Sequence, residues 1–151
     1  YTLIRHSNIY GPHDKFDLNK SHVFGATLTK VLKNKKKYIS VWGDGSEKRD
    51  LLYIDDLIRF VELAIKRQTK KFEIYNVGYG TAITISNLVK KIIKNSKKNL
   101  KIKYDRKKPS LKTKVSLNCN LAKKDLGWYP KVKIDEGIKK TIEWYSKNDY
   151  L

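Results

Sequence analysis

The sequence predicts an α/β fold. Three observations carry that expectation: short β-branched apolar runs, segments of helical apolar spacing between them, and Gly- or Pro-bearing turns at the joints. Thr2-Leu3-Ile4-Arg5 continues into Asn8-Ile9-Tyr10 and stops at Gly11-Pro12, which reads as one buried strand ended by a turn. A polar loop runs to Asn19, and Ser21 is placed as the N-cap of a helix whose apolar face is Val23, Phe24, Thr27, Leu28, Val31 and Leu32. Tyr38 to Trp42 alternates as a strand, and Gly43-Asp44-Gly45 reads as a hairpin turn towards a second strand at Asp50 to Tyr53. Asp55 and Asp56 open the next helix, at the end where its dipole favours negative charge; its apolar side is Leu57, Ile58, Val61, Ala64 and Ile65.

Phe72 to Val77 is another strand, ended by Gly78-Tyr79-Gly80. Thr84 caps a helix with Ile85, Leu88, Val89, Ile92 and Ile93 on one face. Leu100 to Tyr104 is a brief strand, followed by a basic loop with Pro109 that runs to Val115. Two helices are expected at Asn120 to Leu126 and Asp135 to Ser146, the second burying Ile138, Ile142 and Tyr145. Trp128 and Trp144 are expected in the core, and Tyr10 in packing.

The 151 residues suit one domain, and 40% apolar with 11% aromatic content argues against a disordered tail. No apolar run approaches the ~20 residues of a membrane helix, and no secretory signal is visible. A lone cysteine, Cys119, excludes an internal disulfide framework and suits a reducing, cytoplasmic setting. The absence of methionine and the start on Tyr1 lead us to expect a piece of a longer chain.

The net charge of +19 raises the question of a polyanion partner. The lysines, however, are spread along the chain at helix ends and on polar helix sides, and lysine, asparagine and isoleucine are all plentiful. That pattern reads as compositional drift with no nucleic-acid partner. A basic nucleic-acid-binding module, the alternative from a different class, would gather lysines on one face with exposed aromatics between them, and the sequence displays neither.

A metal site is not expected, since His6, His13, His22 and Cys119 lack ligand spacing. Gly78-Tyr79-Gly80 begins like a dinucleotide fingerprint, but position 83 is Ile and no third glycine follows. Two longer strings remain. One is Asn8-Ile9-Tyr10-Gly11-Pro12-His13-Asp14 with Ser21-His22-Val23. The other is Trp42-Gly43-Asp44-Gly45 with Arg49-Asp50 and Tyr53-Ile54-Asp55-Asp56. Together with Tyr75-Asn76-Val77-Gly78, Leu126-Gly127-Trp128 and the helix ending near Trp144, they resemble the C-terminal half of the extended short-chain dehydrogenase/reductases, the NAD-dependent epimerase/dehydratase family. Within it, Tyr10-Gly11-Pro12 through Asp14, Phe16 and Ser21-His22-Val23 is most similar to the GDP-L-fucose synthases.

That resemblance implies a single C-terminal fragment over residues 1–151: the end of a Rossmann-like NAD(P)-binding fold plus a small mixed α/β substrate-binding domain. It also implies that the N-terminal cofactor-binding half is absent. It further implies NADP or NAD as cofactor, a nucleotide-sugar substrate linked to GDP, a homodimer as the full-length protein, and 3,5-epimerisation with 4-reduction of a GDP-4-keto-6-deoxyhexose. His22 matches a catalytic acid; Asn8, Lys30, Trp42 and Arg49 match substrate contacts, with Lys30 standing where arginine is usual. The family's Tyr-x-x-x-Lys pair is expected before Tyr1. Tyr104 with Lys108 and Tyr129 with Lys133 share the spacing, but Pro109 and Pro130 keep them from being helical. Within the same superfamily, a UDP-glucose 4-epimerase or a nucleotide-sugar dehydratase is the alternative; Lys107-Lys108-Pro109-Ser110, without a Pro-Asp-Gly, leaves room for it.

The residue types suit these roles on their own chemistry. Arginine grips a diphosphate by two parallel charge-assisted bonds, whereas lysine supplies only a point charge. Tryptophan offers a flat apolar wall with one N–H donor. Epimerisation beside a ketone needs one group to take a proton and another to return it, which histidine does near neutral pH. A helix start disfavours a cationic imidazole, so a bound diphosphate or a carboxylate such as Asp17 would have to offset it. Each residue also has a plain structural role open to it: His22 as a polar helix start, Trp42 as core, Arg49 as the partner of a carboxylate such as Asp55, and Asn8 as a bond to its own turn.

Overall fold

The computed structural model describes residues 1–108 and 114–148; Pro109 and Ser110 of the basic loop lie outside them. In chain order the elements are β1 (Thr2–His6), β2 (Asn8–Tyr10), α1 (Val23–Leu32), β3 (Tyr38–Trp42), β4 (Lys48–Tyr53), α2 (Ile54–Arg67), β5 (Glu73–Val77), β6 (Ala82–Thr84), α3 (Ile85–Asn95), β7 (Lys101–Asp105), α4 (Asn120–Leu126) and α5 (Ile134–Lys147). β1 pairs with β5 in parallel, and β3 with β7 in parallel. β4 lies between a parallel β2 and an antiparallel β6.

Most of the expected elements are present, α4 with the bounds read from the sequence, and Thr84 caps α3 by accepting from the Asn87 amide at 3.2 Å. Four expectations about the elements are corrected. The opening run is two strands in different sheets, broken at Ser7, whose amide bonds the Val77 carbonyl at 2.9 Å. Its first half is not buried. Of β1 only Ile4 is partly covered, because β1 pairs with β5 alone among the described residues. The N-cap of α1 is His22, because the Ser21 amide is drawn back to the Asp17 carbonyl at 2.8 Å.

The third correction concerns Gly43-Asp44-Gly45. The turn exists, with Gly43 at φ 67 and Gly45 at φ 73, but β3 and β4 do not form a hairpin. The turn's polar groups go elsewhere: the Gly43 amide to Asp105 O and the Gly45 carbonyl to the Ser86 amide, both at 2.9 Å. Fourth, α2 turns a different side inward. It buries Asp56, Phe60 and Ala64, while Ile58, Val61 and Ile65 are exposed. A charged residue takes the inner position because its partners are built in. The Asp56 carboxylate accepts the Lys131 and Val132 amides at 2.9–3.0 Å and the Arg59 guanidinium at 2.9 Å.

Two apolar clusters hold these elements. One joins Tyr10, Phe16, Phe24, Leu28, Leu88 and Tyr145 among α1, α3 and α5. The other joins Leu52, Phe60, Tyr75, Val77, Leu126 and Trp128 between β4, β5, α2 and α4. Trp128 is fully buried, its ring edge-on to Phe60 and its Nε1 donating to Asp56 O at 2.9 Å. Trp144 is only partly buried, packed on His13 and Phe16 rather than enclosed.

Gly25 sets the loop before α1. A Cβ there would lie 2.4 Å from the Lys15 carbonyl, so this loop reaches α1 only because the position is glycine. We expect Gly25→Ala to destabilise by about 1–3 kcal/mol, the cost of overpacking outweighing the ~1 kcal/mol that alanine gains in a helix. A thermal melt checks it: a lowering of roughly 3–10 °C is expected, and a raised midpoint would refute it.

Candidate functional site

The loop from His13 to Ser21 is pinned onto α1 at two points. Phe16 is buried in the first cluster, and its carbonyl accepts the buried Thr29 hydroxyl at 2.9 Å. The chain therefore enters α1 at a fixed place and presents His22 at the N-cap, exposed and without a side-chain capping bond. The leading amides of any α-helix have no intrahelical partner, so this end attracts an anion.

Two cavities lie on either side of that helix start. One, of about 460 Å³, is walled by His6, Ser7, Asn8, Ile9, His22, Asp50, Val115 and Leu117. The other, of about 280 Å³, is walled by residues that include Ser21, Val23, Lys30, Trp42, Glu47 and Ile85. His22 thus faces one cavity while its neighbours Ser21 and Val23 face the other. The structure brings Asn8 and His22 together in the first, and Lys30 and Trp42 together in the second.

Asn8 is oriented by donating from Nδ2 to the Asp50 carbonyl at 3.1 Å, a bond to β4 rather than to its own turn. Trp42, at the end of β3, is 56% exposed, so it is a wall and not core. The Lys30 ammonium lies 5.7 Å from its ring centroid and that of Lys108 5.5 Å. Arg49 pairs with Glu47 at 3.0 Å rather than with Asp55, and also donates to Lys48 O at 3.0 Å. Its head is thereby held beside a residue that walls the second cavity.

The carboxylate coupled to His22 is Asp14. Burial pushes the Asp14 carboxyl up, while a bond from the Lys15 amide and the charge of His22 pull it down. One Asp14 oxygen is buried without a hydrogen-bond partner. Asp17 instead accepts from the Asn19 amide at 2.7 Å within its own loop.

Sequence reasoning missed Asp50. Its side chain is 1% exposed and accepts three amides: Tyr79 at 2.8 Å, Gly80 at 3.1 Å and Leu117 at 3.0 Å. The signal was available, since a carboxylate directly before Leu51-Leu52-Tyr53 in a strand has to be buried with partners. Those bonds also decide what Gly78-Tyr79-Gly80 can do. The amides of residues 79 and 80 are given to Asp50, and a carboxylate fills the space a pyrophosphate would need, so the turn does not fit a dinucleotide. Among the described residues, no group of three or more His, Cys, Asp or Glu could hold a metal ion, and no helix is long and apolar enough to cross a membrane.

Residues 1–78 match the NAD dependent epimerase/dehydratase family. The chain belongs to that family. It is 34% identical over 142 residues to the GDP-L-colitose synthase of Yersinia pseudotuberculosis, covering 91% of this chain and 46% of that protein. It is 29% identical over 159 residues to the GDP-L-fucose synthase of Escherichia coli, covering 98% and 49%. Among solved structures, the UDP-glucose 4-epimerase of Thermotoga maritima with UDP-glucose superimposes with a TM-score of 0.86 at 29% identity, over 97% of this chain and 46% of that one. The chain spans about half the length of the curated relatives it matches. Family membership places the chain in an enzyme family of sugar-nucleotide epimerases, reductases and dehydratases, and its mixed α/β fold matches about half the length of their Rossmann-type structures.

Proposed function

We propose that residues 1–151 are the C-terminal, substrate-binding portion of a longer sugar-nucleotide epimerase/reductase of the GDP-L-fucose synthase kind. The observation that carries this reading is the pair of cavities meeting at the start of α1, His22 with Asn8 on one side and Lys30 with Trp42 on the other. A nucleotide sugar has a matching order of parts. Its base or ribose lies against the Trp42 wall, its diphosphate lies along α1 between Lys30 in the last turn and the helix start, and its sugar enters the His22 cavity. Arg49, held by Glu47 at the edge of the second cavity, adds charge for the diphosphate once it turns from its ion pair.

In this reading the carbon beside the C4 ketone loses its proton to a base outside this chain. His22 returns a proton from the opposite face. NAD or NADP supplies hydride chemistry when bound, and residues outside this chain hold it, since the Gly78–Gly80 turn does not fit it. The reading includes a cytoplasmic homodimer; the free thiol of Cys119 suits a reducing compartment. The likeness to a UDP-glucose 4-epimerase structure favours a second reading, a UDP-sugar 4-epimerase. That reaction has no use for a proton donor at His22.

The diphosphate assignment has its own test in the longer enzyme. Lys30→Ala is expected to raise the KM for the nucleotide sugar by about 10- to 100-fold with little change in kcat, as loss of one charge-assisted bond does. An unchanged KM would remove Lys30 from the site.

A further inference from the structure

We propose that the outward face of the β3–β7 sheet binds single-stranded nucleic acid, its bases stacking on Tyr38 and Trp42 and its phosphates held by Lys103 of β7 with Lys30, Lys36 and Lys108 around the two rings. The sequence hides this surface because its halves lie some sixty residues apart, and only the parallel pairing of β3 with β7 joins them. The register sets Tyr38 beside Lys101, Ser40 beside Lys103 and Trp42 beside Asp105, all on one face. The opposite face carries Ile39 and Val41, both buried in the first cluster, so the outward side is fixed by packing.

Lysines flank both rings. The Lys103 ammonium lies 4.0 Å from the Tyr38 centroid and Lys36 5.9 Å, while Lys30 and Lys108 stand 5.7 and 5.5 Å from that of Trp42. Residues 33–37 hold four lysines, and residues 101–108 hold five Lys and Arg against one carboxylate, Asp105. Gathered lysines with aromatics between them are the pattern that the linear sequence lacks and the fold creates.

The chemistry selects the partner. Positive charge alone would serve any polyanion, but the exposed Trp42 ring and the half-buried Tyr38 ring gain from one that presents flat bases. Tyr38 and Trp42 are four residues apart on an extended strand, about 13 Å, and small, exposed Ser40 between them leaves room for a base. A duplex hides its base faces, and a lipid headgroup has none. Ser40 and Trp42 also wall the second cavity, so a nucleotide sugar competes there, while Tyr38 lies outside that wall. The proposal does not depend on the nucleotide-sugar reading.

The test is fluorescence polarisation of a labelled twelve-nucleotide oligo(U) and oligo(dT) with the longer protein, between 50 and 200 mM salt. We expect binding that weakens with salt, with a slope near −3 if the four lysines each meet a phosphate, at ~0.7 per contact on a single strand. Lys36→Gln with Lys103→Gln should reduce that slope by about 1.4. Tyr38→Ala should weaken binding by about 5- to 150-fold, and Tyr38→Phe should restore it. The KM for the nucleotide sugar should not move in Tyr38→Ala, which separates failure here from failure of the proposed enzyme. Undiminished binding by Tyr38→Ala, or equal affinity for a duplex, heparin or anionic lipid vesicles, would overturn the proposal by reducing the face to charge alone.

Discussion

Replacing His22 with Asn in the longer enzyme is expected to slow solvent-deuterium incorporation into the keto sugar by ~100- to 10,000-fold, the usual cost of losing one proton-transfer group. Asparagine keeps roughly the size and hydrogen-bonding capacity of the imidazole but cannot titrate. The fold should survive, because His22 is exposed at the N-cap of α1 and makes no capping bond that asparagine would lose. Asparagine is itself a good N-cap, so the melt should not fall. Reduction of a keto sugar that is already epimerised should proceed at the parent's rate, since its proton donor and hydride source lie elsewhere. Exchange and reduction both at the parent's rate in His22→Asn would leave His22 a helix-start residue and favour the 4-epimerase reading.

Local signals were legible in the sequence and long-range pairings were not. The amphipathic face of α3, its Thr84 cap and the end of α4 at Leu126 depend on residues within one or two turns of one another, and each is where the spacing placed it. The phase of α2 depends on Asp56, whose partners Lys131 and Val132 are some seventy-five residues away, so a purely apolar count turned the wrong side inward. The hairpin at Gly43-Asp44-Gly45 failed for the same reason. The glycines announce a turn, but which strand receives β3 was decided by β7. In the site, the residue types and their order pointed to His22 and Trp42. That Asn8 shares a cavity with His22 while Lys30 shares another with Trp42 follows from how the loop before α1 is pinned, which no spacing rule states. Asp50 was visible only as an anomaly, a carboxylate inside an apolar strand.

Asp50→Ala is expected to be the most destabilising single change near the site, at about 3–5 kcal/mol. Alanine removes the acceptor of three part-buried amides at once, those of Tyr79, Gly80 and Leu117, and leaves them without a protein partner in its place. For a chain of this size the loss corresponds to a melting temperature lower by roughly 10 °C. Asp50→Asn should fall between, because one amide oxygen still accepts while its NH₂ faces donors. Asp50→Glu should not rescue fully, since an added methylene moves the carboxylate off the three amides it accepts. The damage should be directional. Asn8 bonds the Asp50 backbone carbonyl, which alanine retains, so the β2 wall of the His22 cavity stays in place. The opposite wall, Val115 and Leu117, is tied to β4 through the lost carboxylate. Cys119 reports on that wall, because its sulfur accepts from the Gly78 amide at 3.2 Å and burial pushes its thiol pKa up. Freed from Asp50, the segment exposes the thiol, and Cys119 should react faster with a thiol reagent in Asp50→Ala than in the parent at a temperature where both are folded. A melt within ~1 kcal/mol of the parent, with unchanged Cys119 reactivity, would show that Asp50 does not hold this wall.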